Sequence, residues 1–286
     1  MTRRILSIAI AVVGSALGYL AAWTGGTALV QFAGTGRSAP DVFPHLLLAL
    51  GVVLLAVATL SIVLSSAGVL VVGSLHLAVG LLAVLFPPQG LRGGFAPAFQ
   101  LLNALNDVSR EVSYGAYFAV TTGMGLMTGA ALVAIGSASR SRVTAPAQTM
   151  RVVSAAVATI IGLPGFLLVL GAGGVIYRSA VVMFDGAPEL AVILLVLGVG
   201  LVAGALYFTR WSSVGAVELG LVITILGLVF LVAPGLSAGA FGIAHPLGMG
   251  ITSAGVSGNV LLVGVVITAA AIGAKLRADR APRASV

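Results

Sequence analysis

The sequence predicts an all-α integral membrane protein of about eight transmembrane helices, arranged as two parallel tandem four-helix repeats. Three observations predict this. Charged residues are 7% of the chain against 59% hydrophobic, with a mean hydropathy of +1.19; a soluble domain carries roughly 25% charged residues. Apolar runs of about 20 residues, enough to cross a ~30 Å hydrocarbon core, recur along the chain. Glycine, serine and proline positions recur at the same spacings in both halves.

The apolar runs fall at 5–23, 46–64, 67–86, 116–135, 152–170, 190–208, 214–232 and 254–274. Lipid offers a backbone no hydrogen-bond partner, so each run is expected to be a helix. Alternation at period two is missing, which argues against a barrel. Thr2-Arg3-Arg4 before an apolar stretch looks like a secretion signal. That stretch has an internal counterpart, however, so it is read as the first helix.

The charges assign an orientation. Arg3, Arg4, Arg140, Arg142, Arg151, Arg210, Lys275, Arg277, Arg280 and Arg283 all fall on one side of an even-numbered topology, with Glu218 and Asp279. The other side holds Arg37, Arg92, Arg110 and Arg178 against Asp41, Asp107, Glu111, Asp185 and Glu189. Basic loops stay in the cytoplasm, so both termini are expected there, in a multi-pass protein of the plasma membrane. The net charge of +7 then reflects topology and contact with the lipid bilayer, not a nucleic-acid partner. One lysine against thirteen arginines points to GC-rich, bacterial coding. No cysteine is present, which excludes disulfides, thiolate metal sites and thiol redox chemistry.

The duplication is read from paired positions. Ser65-Ser66, Gly68, Gly73, Gly80 and Pro87 match Ser212-Ser213, Gly215, Gly220, Gly227 and Pro234 with every spacing identical. Arg3, Gly14, Gly25 and Gly26 match Arg151, Gly162, Gly173 and Gly174. The division predicted is a first four-helix repeat over 1–138, a cytoplasmic linker over 139–150, and a second repeat with a cytoplasmic tail over 151–286. An even number of spans per copy makes the copies parallel, related by an axis along the membrane normal. Gly14-x-x-x-Gly18, Gly125-x-x-x-Gly129 and Gly200-x-x-x-Gly204 have the spacing of packing grooves. Small residues let helices approach in lipid, and packing inside the bundle is the first expectation for all three. Pro164 should kink or loosen the fifth helix.

Ionisable residues within a span are functional candidates by default. His76 is the best placed. It shares a helix face with Gly73 and Gly80, so it should point into the bundle and bond a hydroxyl or carbonyl of a neighbouring helix. Glu218 lies a turn inside the seventh run and is expected to pair with Arg210 or interfacial water. On the outer side are Asp41, His45 and an amphipathic stretch over 98–112. In that stretch Leu101, Leu102, Leu105, Val108 and Val112 oppose Asn103, Asn106, Asp107, Arg110 and Glu111. The second half offers a nearly uncharged segment there, so Asp107, Arg110 and Glu111 belong to one copy only.

No catalytic constellation is legible, and no cofactor is expected. Three histidines without cysteine form neither a zinc motif nor a haem pair. The sequence therefore favours a non-catalytic scaffold or accessory subunit, with a membrane-protein partner or a homo-oligomer. The alternative is a pore or carrier for a neutral or apolar solute or lipid.

Overall fold

The computed structural model describes residues 1–35, 42–86, 97–107, 109–141, 148–183, 187–233 and 245–280. Every regular element among them is helical. In the first half, α1 spans Thr2–Thr35 and α2 spans Val42–Leu60, with a 3-10 turn over Ser61–Val63. Then come α3 (Ser66–Leu85), α4 (Pro97–Asn106), α5 (Arg110–Thr121) and α6 (Met124–Ala138). In the second half, α7 (Gln148–Val157) passes through a π turn at Ala158–Gly162 into α8 (Leu163–Tyr177). These are followed by α9 (Glu189–Tyr207), α10 (Val214–Val232), α11 (Pro246–Gly250) and α12 (Asn259–Asp279).

Seven of these helical stretches are long and apolar enough to cross a membrane: Thr2–Gln31, Val42–Val63, Ser66–Leu85, Gln148–Tyr177, Glu189–Arg210, Val214–Val232 and Asn259–Asp279. An eighth crossing needs α5 and α6 together, and they are bent by 71°. The runs 116–135 and 254–274 are therefore not the continuous helices expected. Each is interrupted at a glycine with positive φ, Gly123 at 74° and Gly258 at 77°. Glycine adopts that conformation without the Cβ clash other residues meet. Beside the first break, Thr122 Oγ1 donates to Phe118 O at 2.6 Å. Beside the second, Ser257 Oγ donates to Ala254 O at 3.1 Å.

One further expectation needs correction, and another takes a specific form. The stretch 98–112 is two helices, because Ser109 ends one path and N-caps α5, accepting from Val112 N. The Pro164 effect takes the form of the π turn just before it, closed by Leu163 N–H donating to Ala158 O. A wide turn there accommodates a residue without an N–H.

Glycine contacts recur in the two halves. A Cβ on Gly68 would strike Ser7 O, and one on Gly215 would strike Ser154 O. Gly51 faces Gly18 O, and Gly198 faces Gly165 O. Gly80 abuts Leu126 of α6, and Gly227 abuts Leu261 of α12. Ser7 Oγ donates to Ser65 O at 2.7 Å, and Ser154 Oγ to Ser212 O at 2.9 Å. Across the halves the pattern is reciprocal. Gly258 packs on Leu48 of α2 and Gly123 on Leu195 of α9, while Gly26 abuts Ser257 and Gly173 abuts Thr122. These contacts put Gly26, not Gly25, opposite Gly173, so the register expected for the first helix shifts by one residue.

The packing reading holds for Gly14 and Gly18, which lie on Ala58 and Leu55 of α2, and for Gly129, which lies on Leu77 of α3. It fails for Gly200 and Gly204, which meet nothing within 4 Å. Helix α12 is the central element, with 72% of its apolar window buried against 28–39% for the other six. Its neighbours expose their large side chains instead: α10 leaves Leu221, Ile225, Leu228, Val229 and Val232 uncovered while burying Gly220, Ile223 and Gly227.

Candidate functional site

The polar side chains collect where the two breaks meet the middle of α1 and α3. Tyr19 and Trp23 are one turn apart on α1, so they share a face. Their rings pack at 4.8 Å, and Tyr19 packs on the His76 ring at 4.9 Å. Trp23 Nε1 donates to Asn259 Oδ1 at 3.2 Å. Asn259 is the first residue of α12 and is 2% exposed; its Nδ2 donates to Ser257 Oγ at 2.9 Å. The Tyr19 hydroxyl lies within hydrogen-bonding reach of Thr128 on the second turn of α6. Thr128 Oγ1 itself donates back to Met124 O at 2.8 Å.

These groups line a cavity closed by Ala119, Met124, Gly125, Leu262 and Val263. It leaves about 10 Å³ for the centre of a water molecule, roughly the room of one water. Both broken helices present their first turns to it: Met124 and Gly125 from α6, Asn259 from α12. A first helical turn has N–H groups without intrahelical acceptors and a partial positive charge. The cavity's own surface is mostly apolar, because the indole, amide, hydroxyl and imidazole groups around it are already bonded to protein partners.

His76 is where the sequence placed it, on the Gly73/Gly80 face and among helices. Its partner differs from expectation: Nδ1 lies 3.0 Å from Val72 O in its own helix. The neighbour it touches is an aromatic ring. Sequence reasoning missed Tyr19, Trp23, Thr128 and Asn259. The run read as 5–23 puts Trp23 at a span end, where membrane tryptophans are common; only the continuation of α1 to Thr35 places it inside the helix.

The remaining candidates stand apart from this centre. Glu218 accepts from Thr159 Oγ1 at 3.1 Å, while Arg210 packs over the Trp211 ring at 5.0 Å instead of pairing with it. Asp107 and Arg110 are exposed, and Arg110 lies over Tyr114 at 5.5 Å. Glu111 is half-buried; its Oε2 accepts from Ser109 Oγ, and its carbonyl accepts from Thr27 Oγ1 of α1 at 2.9 Å. It is thus partly a structural tie, not wholly a solvent-facing charge. His45 is exposed on the first turn of α2. Asp41 lies outside the described residues. Among the described residues no three His, Asp or Glu side chains gather as a metal-binding group.

Comparison with protein-family models, with curated proteins and with solved structures finds no match to this chain.

Proposed function

We propose that the chain is a non-catalytic, multi-pass protein of a bacterial plasma membrane that passes a small neutral solute through the polar centre of the bundle. The pair of breaks at Gly123 and Gly258 carries this reading. In hydrocarbon, backbone that leaves the helix is tolerated only where protein buries it or where it lines a cavity. Discontinuous helices whose first turns face a polar midplane site are a recurrent device of carriers. A scaffold has no need of two such breaks at matched positions around one site.

The accompanying architecture is two parallel copies, 1–138 and 151–286, joined by the linker 139–150. The recurring glycine and serine contacts support it, as does the reciprocal packing of each break on the other half. The exposed leucines, isoleucines and valines of α1, α2, α9 and α10 suit acyl chains and would be an aggregation hazard in water. The basic termini suit the cytoplasmic side. With room for about one water, the cavity is the closed state of the path, and passage needs α6 and α12 to part.

Proteoliposomes test the function. Vesicles holding the purified chain are shocked with a permeant neutral solute such as glycerol or urea, and swelling is followed by light scattering. Swelling faster than in empty vesicles, and slowed by His76→Leu or Asn259→Leu, is the expected result. Equal rates for empty, wild-type and variant vesicles would remove the transport reading. The second reading, a scaffold or accessory subunit, is favoured by Gly200 and Gly204. They form an unfilled small-residue groove on the outside of α9, as contact with a partner helix or a second copy would require. A stoichiometric partner in the purified complex, with no solute flux, would decide for it.

A further inference from the structure

We propose that Arg4, Arg140 and Arg277 form a binding site for a phosphate-bearing anion at the end of the bundle that carries both termini. The site is built on the short segment from Ser61 to Ser66, between α2 and α3. Arg140 follows α6 and donates from Nε to Ser66 Oγ at 3.1 Å. Arg4 is one turn before Ser7, whose hydroxyl donates to Ser61 O and Ser65 O at 3.2 and 2.7 Å. Arg277 is one turn after Gly273 of α12, which abuts Ile62. Arg140 thus contacts this segment directly, and Arg4 and Arg277 each lie one turn from a residue of α1 or α12 that packs on it.

Two observations show that this cluster lacks something. Arg277 is half-buried, and its Nη1 is shut from solvent with no hydrogen-bond partner. Ser61, 5% exposed, has a buried hydroxyl that is likewise unpartnered. Among the described residues, the charges felt most at Arg277 are those of Arg140 and Arg4. A desolvated guanidinium beside two like charges is unfavourable unless an anion compensates it. Positive-inside topology explains basic residues near this end but does not require one to be buried without a partner.

The chemistry favours phosphate. Guanidinium forks match its oxygens bidentately. The N-terminus of α3, capped by Ser65 at 3.2 Å from Ala67 N, adds its partial positive charge on the same side. A membrane offers that group as a phospholipid headgroup, and the adjoining solution offers it as a free phosphate. In the second half Phe208 takes the place of Ser61, and Arg210, although its Nε is also buried without a hydrogen-bond partner, packs over Trp211, so the three-arginine arrangement belongs to one half. The inference is independent of what passes through the central cavity.

Thermal unfolding of the purified full chain in neutral detergent tests it, with additives at matched ionic strength. The additives are phosphatidylglycerol, phosphatidylcholine and inorganic phosphate. Phosphatidylglycerol should raise the melting temperature of wild type and of Arg280→Gln, which removes an exposed tail charge, while phosphatidylcholine should not. In Arg277→Gln and Arg140→Gln the shift should vanish, with apparent affinity lower by at least about ten-fold. Without anion, Arg277→Gln should melt no lower than wild type, because it removes an uncompensated charge; that inversion separates a lost ligand from a damaged fold. A shift with phosphatidylglycerol alone assigns the lipid headgroup, and a shift with inorganic phosphate as well assigns the free anion too. No shift with either, or equal shifts in all variants, would overturn the site.

Discussion

The indole of Trp23 donates to the side-chain oxygen of Asn259 across 236 residues of sequence, at 3.2 Å. This bond ties the middle of α1 to the first turn after the break that precedes α12. A double-mutant cycle with Trp23→Phe and Asn259→Ala should give a coupling of about 0.6 kcal/mol, the average for hydrogen bonds between membrane helices, and no more than about 1.7 kcal/mol. Additive losses, measured by unfolding in mild detergent, would show that the two residues do not act together.

The glycines at the breaks are predicted to respond differently from those on the open face. Gly123→Ala and Gly258→Ala force a side chain to positive φ, a penalty of about 1–2 kcal/mol each, before the added clashes with Leu195 and Leu48. Gly200→Ala and Gly204→Ala enter open space and should leave stability of the single chain unchanged or raise it, by roughly up to 1 kcal/mol. The melting temperatures of the four variants in detergent check this ordering. A reversed order would mean that the breaks are placed wrongly.

Gly80→Ala and Gly227→Ala form a matched pair. Each Cβ would press on α6 or α12, at Leu126 and Leu261. Overpacking of this kind costs about 1–3 kcal/mol, and the two losses should be similar. A large loss for one and none for the other would count against parallel copies of one unit.

Much of this fold was legible in the sequence. The helices α2, α3, α9 and α10 follow from unbroken apolar runs bounded by polar or proline-containing segments, whereas α1 continues past its run to Thr35 and the run 152–170 is divided by the π turn. The breaks were not legible. Of 39 glycines, Gly123 and Gly258 are the two described at positive φ; Thr122-Gly123 looks no different from Thr24-Gly25 and Thr128-Gly129, which stay helical. What selects them is tertiary: Leu195 and Leu48, each from the opposite half, close on the turn. His76 was found from its glycine face, which is local periodicity. Its companions were not found, because Tyr19, Thr128 and Asn259 reach it from three other helices. The orphaned Arg277 was hidden for the same reason. By sequence it is one of four basic residues in a tail, and only packing shows which one is buried.

Replacing Asp107 and Arg110 together with Ser should leave insertion and stability within about 0.5 kcal/mol of wild type, the usual range for exposed positions. Adding Glu111→Ser should lower stability by about 0.3–1 kcal/mol, since an acid at the first turn of α5 complements the helix dipole and holds Ser109. Circular-dichroism melts of the double and triple variants separate the two effects. A double variant that binds a co-purifying partner less well while melting normally would strengthen the scaffold reading.

The central claim is that the polar centre between the two breaks lies on a path open to water in some conformation. Because the chain has no cysteine, Thr128→Cys places a single thiol at that centre, and Asn103→Cys places one on exposed α4 as a control. Both are expressed in intact cells and treated with a small water-soluble thiosulfonate reagent. Modification of Thr128→Cys, slower than that of Asn103→Cys and slowed further by Gly258→Ala, is the predicted result. A thiol at residue 128 that stays unmodified while residue 103 reacts to completion would contradict the account.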